Sequence, residues 1–151
     1  MLVTSCGPDE LLGLRQAVLR PHQRPDEVRF PDDEVPGTVH FCARDDDGGV
    51  VGAVSLMRQS PPWRPEMDAW RLRGMATAPE WRGLGVGRAL LAAVFDHVAA
   101  GGGGLLWCNA RLAAVGFYER AGMATTGDVW EEPVIGPHIV MFVQVNPPGA
   151  A

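Results

Sequence analysis

The chain of 151 residues contains no lysine, and all thirteen of its basic residues are arginine. That absence excludes a Walker-type phosphate loop, which needs Gly-Lys-Ser/Thr, and it excludes a Schiff base or any other lysine-centred catalysis. Cysteine is scarce. Cys6, Cys42 and Cys108 are odd in number, widely spaced and form no CxxC pair. No disulfide framework is expected, and reduced thiols in a cytoplasmic protein fit the pattern. No apolar run reaches the roughly 18 residues of a membrane helix. The opening "MLVTSCGPDE" has no basic stretch followed by an apolar one, so no signal peptide is expected. Basic residues are outnumbered by acidic ones, 13 against 18, for a net charge of −5. A general nucleic-acid binder needs a basic face that displaces counterions, so no nucleic-acid partner is expected. Ligand sets for metals are missing too. His22, His40 and His97 have no partners at usable spacing, and the acidic run Asp45–Asp47 has Leu56, not glutamate, at the twelfth position of a calcium loop.

What is present reads as one domain over residues 1–151. "PDELLGLRQAVLR" predicts a helix capped by Ser5 or Asp9, with Leu11, Leu12, Leu14, Val18 and Leu19 as its apolar stripe. The Pro- and acid-rich stretch that follows predicts a long loop with a short helical turn. "TVHFCAR", the turn "DDDGG" and "VVGAVSLMR" predict a hairpin, and "MDAWRLRGMAT" a third strand with a bulge or a close backbone approach at Gly74. Helical spacing runs from Gly85 to Ala100 and stops at four glycines. A buried strand "LLWCN", a helix "LAAVGFYERA" and the strands "MATTGDVW" and "HIVMFVQV" follow, the last two joined by a loop "EEPVIGP". The tail "NPPGAA" is expected to fray. The strand–helix–strand unit over Trp70–Ala76, Gly85–Ala100 and Leu105–Asn109 makes its two strands parallel.

The densest feature is "RGLGVGR", Arg82 to Arg88. The dinucleotide pattern GxGxxG fails in both frames, because Arg88 and Leu90 stand where the third glycine belongs. The pattern [QR]xxGx[GA] matches at Arg82-Gly83-Leu84-Gly85-Val86-Gly87. Glycines at a helix N-terminus let a pyrophosphate approach amides that have no helical partner, and Arg82 and Arg88 add charge. A tight strand-to-helix turn would use the same glycines.

The loop has a companion. "LRGMATAPEWRGLGVGRALL" followed by "NARLAAVGFYERAGM" resembles the GNAT superfamily of acyl-CoA-dependent N-acetyltransferases. The match runs through Pro79, Arg82 to Gly87, Asn109, Ala114, Phe117, Tyr118 and Gly122. Met123 stands where the family usually has Phe. The resemblance implies a mixed α/β fold: a central sheet of six to seven strands flanked by helices, with a splayed parallel strand pair. It implies acetyl-CoA as cosubstrate, with no metal. Its pyrophosphate would lie on Arg82, Gly83, Leu84, Gly85, Val86, Gly87 and Arg88. Its pantetheine would lie along Met75, Ala76 and Thr77 and reach Asn109. The amide at Met75 or its neighbour would polarise the thioester carbonyl. Tyr118, the only tyrosine, would be the general acid for the departing thiolate. Asn109 also reads as a helix cap, and Tyr118 as a core ring bonded through its hydroxyl.

The acceptor side is less defined. Trp130, Glu131 and His138 flank the last loop and are candidate substrate contacts, with Glu132 beside them. Trp63 and Trp130 could line an amine pocket or simply close the core. Cys108 reads as an inert buried thiol. The resemblance implies a small-molecule amine or a protein amine as acceptor; no membrane partner is expected, and a homodimer is a candidate assembly. A non-catalytic acyl-CoA-binding module, for sensing or assembly, is the alternative; it would keep the glycine loop without needing Tyr118.

Overall fold

A computed structural model describes residues 1–149 of the chain. The elements are β1 (Leu2–Cys6), α1 (Leu12–Leu19), β2 (Val39–Arg44), β3 (Val50–Arg58), β4 (Trp70–Thr77), α2 (Val86–Ala100), β5 (Gly104–Arg111), α3 (Val115–Arg120), β6 (Ala124–Glu132) and β7 (Gly136–Val145). Single 3₁₀ turns precede α1, α2 and α3, and another lies at Pro25–Glu27. The strands form one mixed sheet in the order β1-β2-β3-β4-β5-β7-β6, in which β4 and β5 are the parallel pair. The expected mixed α/β architecture with a sheet of six to seven strands is therefore observed. Among the described residues no helix is long and apolar enough to cross a membrane.

The chain divides into two compact units. The first comprises Met1–Met57 with Leu72–His97. Here β1 runs antiparallel to β2, and β2 to β3. The Asp45 carboxylate closes the β2–β3 turn by accepting from the N–H groups of Asp47, at 3.0 Å, and Gly49, at 2.8 Å. One sheet face buries Cys42 and Ala53 against Leu11. The opposite face carries Gly52, whose bare Cα lets the side chains of Val86 and Leu90 of α2 come close.

The second unit comprises Arg58–Arg71 with the chain from Val98 onward. β5 pairs antiparallel with β7 from Gly104↔Val145 to Arg111↔His138, and β6 covers the other side of β7. The parallel register is Trp70↔Leu106 and Arg71↔Trp107. Ala69, Leu105 and Trp107 form a core with Met67, Val140 and Phe142 around it. Trp63 stands edge-on to Trp107 and Phe142, at 6.5 and 5.9 Å between centroids.

Three expectations change. Cys6 and Cys42 form a disulfide, with Cα atoms 6.2 Å apart. Thr4 faces Cys42 and Cys6 faces His40, so the two cysteines are diagonal neighbours on paired strands, within disulfide reach. Linear spacing carries no sign of that pairing. The expectation of three reduced thiols falls, and with it the argument for a cytoplasmic location that rested on them. The first helix is capped by neither Ser5 nor Asp9. Gly7 holds the cap position of a 3₁₀ turn and donates its N–H to Glu10 Oε2 at 2.7 Å, while Asp9 pairs with Arg29. The loop expected over "EEPVIGP" shrinks, because β6 extends through Glu132 and β7 begins at Gly136. Of the tail expected to fray, Ala150 and Ala151 lie outside the described residues.

Candidate active site

The first unit holds the glycine loop. The chain leaves β4 at Thr77, and Ala78 ties the exit to β3 by donating its N–H to Val51 O at 2.8 Å. Pro79 opens a single 3₁₀ turn, and the Arg82 N–H reaches back to Pro79 O at 3.3 Å. Gly83 and Gly85 then adopt φ of +76° and +87°. Residues with a Cβ avoid this region, so these two glycines are required by the turn itself. α2 starts at Val86, which is buried and anchors the helix, and Ala89 N–H to Gly85 O is its first i→i−4 bond. The amides of Val86, Gly87 and Arg88 precede that bond and project from the N-terminus, where the helix dipole is positive. Leu84, Arg82 and Arg88 are exposed around them. The arrangement is an amide-lined, positively polarised turn suited to an anion. Upstream on β4, Ala76 is buried while Met75 and Thr77 are half-buried, and Gly74 sits at φ +69°. Gly74, expected to mark a bulge or a close backbone approach, thus has the backbone sign that only glycine takes easily.

The second unit holds the remaining candidates. Asn109 lies within β5 opposite Val140 and is half-buried. It does not cap the next helical turn, where Arg111 takes the cap position without a side-chain bond. Tyr118 on α3 is buried, its ring edge-on to Phe117 at 5.0 Å. Burial raises its phenol pKa above the ordinary range, and Cys108 adds to the effect. Cys108 is a free buried thiol whose pKa burial pushes up to about 12, with Arg71 opposing. It is a neutral thiol at any ordinary pH and an unsuitable nucleophile. Trp130 and His138 are direct cross-strand partners and stack at 5.7 Å with an interplanar angle of 27°. His138 Nδ1 is 2.8 Å from Gly136 O. A carbonyl only accepts, so Nδ1 carries a proton, and in the neutral tautomer that fits this contact Nε2 is the acceptor. Glu131 is exposed on β6 opposite Pro137, in the strand and not in a loop.

Two features have no counterpart in the sequence reading. Gly52 matters because a helix lies against it, which only the fold reveals. Arg15 falls within the apolar stripe of α1, yet it is wholly buried and paired with Asp33 at 2.8 Å. No spacing rule links two residues across an irregular loop. Among the described residues no group of three His, Cys, Asp or Glu side chains is placed to hold a metal ion.

Known proteins share both the sequence pattern and the fold. The family profile described as an acetyltransferase (GNAT) domain matches residues 36–122. A Bacillus subtilis (strain 168) protein described as the uncharacterized N-acetyltransferase YitI is 33% identical over 140 residues, covering 93% of each chain. Among solved structures, an aminoglycoside 6'-N-acetyltransferase complexed with coenzyme A superposes with a TM-score of 0.76 at 17% identity, covering 99% of this chain and 100% of that one. An acyl-CoA N-acyltransferase from Pseudomonas aeruginosa gives 0.75 at 21% identity, over 94% and 99%.

Proposed function

Because the chain belongs to the GNAT acetyltransferase family and is an acyltransferase, we propose that it moves an acetyl group from acetyl-CoA to a primary amine by direct attack. The observation that carries the cofactor assignment is the turn at Gly83–Gly85. Two positive-φ glycines deliver the chain into the start of α2 and leave its first amides projecting. In this reading they receive the pyrophosphate of coenzyme A, with Arg82 and Arg88 adding charge. The neighbour that was solved with coenzyme A supports the same ligand.

The amine nitrogen attacks the thioester carbonyl carbon, and the carbonyl oxygen takes up negative charge. The backbone amide of Met75, next to the positive-φ Gly74, is assigned as its donor. Backbone groups of Met75, Ala76 and Thr77 and the side chain of Asn109 hold the pantetheine. The C–S bond then breaks. Tyr118, neutral because burial raises its pKa, donates the proton that the departing thiolate takes. The attacking nitrogen loses its proton to a base or to water. His138, with Nε2 available as an acceptor, and Glu131 are the assigned acceptor-side groups, with Trp130 stacked behind His138. The acceptor is a small-molecule or protein amine.

Free-thiol release from acetyl-CoA across a panel of amines tests this reading. Turnover with at least one amine is expected, and Tyr118→Phe should lower it by about 10²-fold with coenzyme A binding unchanged. Tight coenzyme A binding without turnover of any amine would identify a binding module instead.

A further inference from the structure

Arg15 is the buried residue of α1, and it is fully enclosed. All four of its Nη hydrogens are used. Nη1 donates to Val28 O at 2.9 Å and Asp33 Oδ2 at 2.8 Å; Nη2 donates to Asp33 Oδ1 at 3.2 Å and Ser55 Oγ at 3.0 Å. Asp33 Oδ2 also accepts the Phe30 N–H at 2.8 Å, which folds the 28–33 segment around the pair. Ser55 Oγ is 2.6 Å from His40 Nδ1, and His40 Nε2 is 2.9 Å from Asp33 O. The carbonyl requires the proton on Nε2, so Nδ1 accepts from the Ser55 hydroxyl and the hydroxyl oxygen accepts from Arg15. One guanidinium therefore ties α1, the 28–33 segment and β3 together directly, and reaches β2 through Ser55.

The fifth hydrogen is the exception. Arg15 Nε is buried and has no hydrogen-bond partner. It lies against Gly74: a Cβ built there would stand 3.4 Å from Arg15 Nε and 3.2 Å from Phe30 Cε2. The Phe30 ring has the Arg15 guanidinium carbon 3.7 Å from its centroid and that of Arg73 at 3.9 Å. Two guanidiniums fit at those distances only on opposite faces of one ring. The positive-φ backbone of Gly74 is thus packed against a ring and a cation edge that are themselves fixed. Asp33 binds the Nη side of Arg15, and the guanidinium edge that carries Nε and Nη2 is the one facing Gly74.

A buried ion pair is a poor source of stability, because desolvation offsets the attraction and apolar side chains of similar volume often serve as well. A guanidinium supplies what they do not: a rigid planar fork that fixes several segments at once. We propose that Arg15 is a positioning residue for the reaction, a brace that holds the Gly74–Met75 backbone in the conformation that aims the Met75 amide. The proposal rests on the reading of that amide as the donor to the thioester oxygen.

The test uses the full chain carrying Arg15→Met with Asp33→Asn, which removes both charges together and keeps an oxygen for the Phe30 N–H. Hydrogen exchange over Leu72–Thr77 should accelerate by about tenfold or more at Gly74–Met75, while exchange in β5 and β7 stays unchanged. The kcat should fall by roughly tenfold with KM for acetyl-CoA within about twofold. If the double variant does not fold, Arg15→Lys keeps the charge, loses the fork, and should give the same pattern at smaller amplitude. Unchanged exchange at Gly74–Met75 in a folded variant overturns the brace, as does a loss of turnover carried wholly by KM. A wild-type protein that binds coenzyme A but acetylates no amine would remove the acetyltransferase reading, and the exchange measurement would still decide the brace.

Discussion

Gly52 on β3 faces Val86, the first residue of α2, so closely that no side chain fits between them. A Cβ on Gly52 would collide with Val86 Cγ1 and stand 2.9 Å from Leu90 Cδ1. Both neighbours are buried, at 1% and 0% exposure, and have no room to retreat. Gly52→Ala should therefore destabilise the protein by ~1–3 kcal/mol through overpacking, seen as a lower denaturant midpoint at unchanged m. It should also weaken coenzyme A binding, since the displaced residue carries one of the projecting amides. A variant with full stability and full affinity would show that α2 is not seated through this contact.

Gly85 presents the opposite situation. Nothing lies within 4 Å of a Cβ there, but φ is +87°. Gly85→Ala should cost about 1–2 kcal/mol from backbone strain alone, because a left-handed conformation opposes any L side chain. Gly85→Asp adds a negative charge and bulk where the pyrophosphate is assigned, and should abolish coenzyme A binding while leaving a folded protein. Titration calorimetry with coenzyme A and a thermal melt separate the two effects. Normal affinity in Gly85→Asp would remove the amide cradle.

The disulfide closes a separation of 36 residues. Its reduction should lower stability by about 2–4 kcal/mol. Thiol titration should find no fast-reacting thiol in the folded protein, one after denaturation without reductant, and three after reduction. One accessible thiol per cysteine in the folded, unreduced protein would contradict the pairing.

Tyr118 is the only tyrosine, so phenolate absorbance near 295 nm reports it alone. Burial raises its pKa from the ordinary value near 10. Titration of the folded protein should show no phenolate until the pH is well above 10, and unfolding should release the signal at the ordinary value. A phenolate appearing at or below pH 10 in folded protein would mean a polar or charged site around the hydroxyl.

Much of the fold was legible because it rests on local pattern. The hairpin around Asp45–Asp47, the helix through Leu90, Leu91, Val94 and Val98, and the strand through Trp107 each follow from a single period. The glycine loop was legible for the same reason: Gly83 and Gly85 are separated by one residue and serve one turn. Contacts across elements were not legible. Cys6 meets Cys42 through strand register, Gly52 meets Val86 through helix packing, and Arg15 meets Asp33 across an irregular loop. Arg15 even carries the wrong polarity for its face of α1, since a pattern argument assigns charge to solvent and cannot see the carboxylate that offsets it. The boundary errors at Glu131–Pro137 have a simpler cause. The Pro133–Val134 turn is short, with Val134 itself at φ +69°, and a β-branched residue in that conformation is not a turn signal.

The two buried acids of the second unit also fix the sign of stability against alkali. Cys108 has a pKa pushed up to about 12 in the folded protein against an ordinary value of 9.0, and Tyr118 is raised as well. Between pH 9 and 12 the unfolded chain has lost the Cys108 proton while the folded chain keeps it. The unfolded state then binds fewer protons, so unfolding free energy falls as pH rises, with a limiting slope of ~1.4 kcal/mol per pH unit for each such group. Tyr118 joins above about pH 10, where its unfolded form ionises. Urea midpoints measured from pH 7 to 11 should be level to about pH 9 and then decline. Cys108→Ala, at a small packing cost, should hold its own level to about pH 10 and decline later, with only the Tyr118 contribution left. The same decline in wild type and Cys108→Ala would place the alkaline lability outside Cys108.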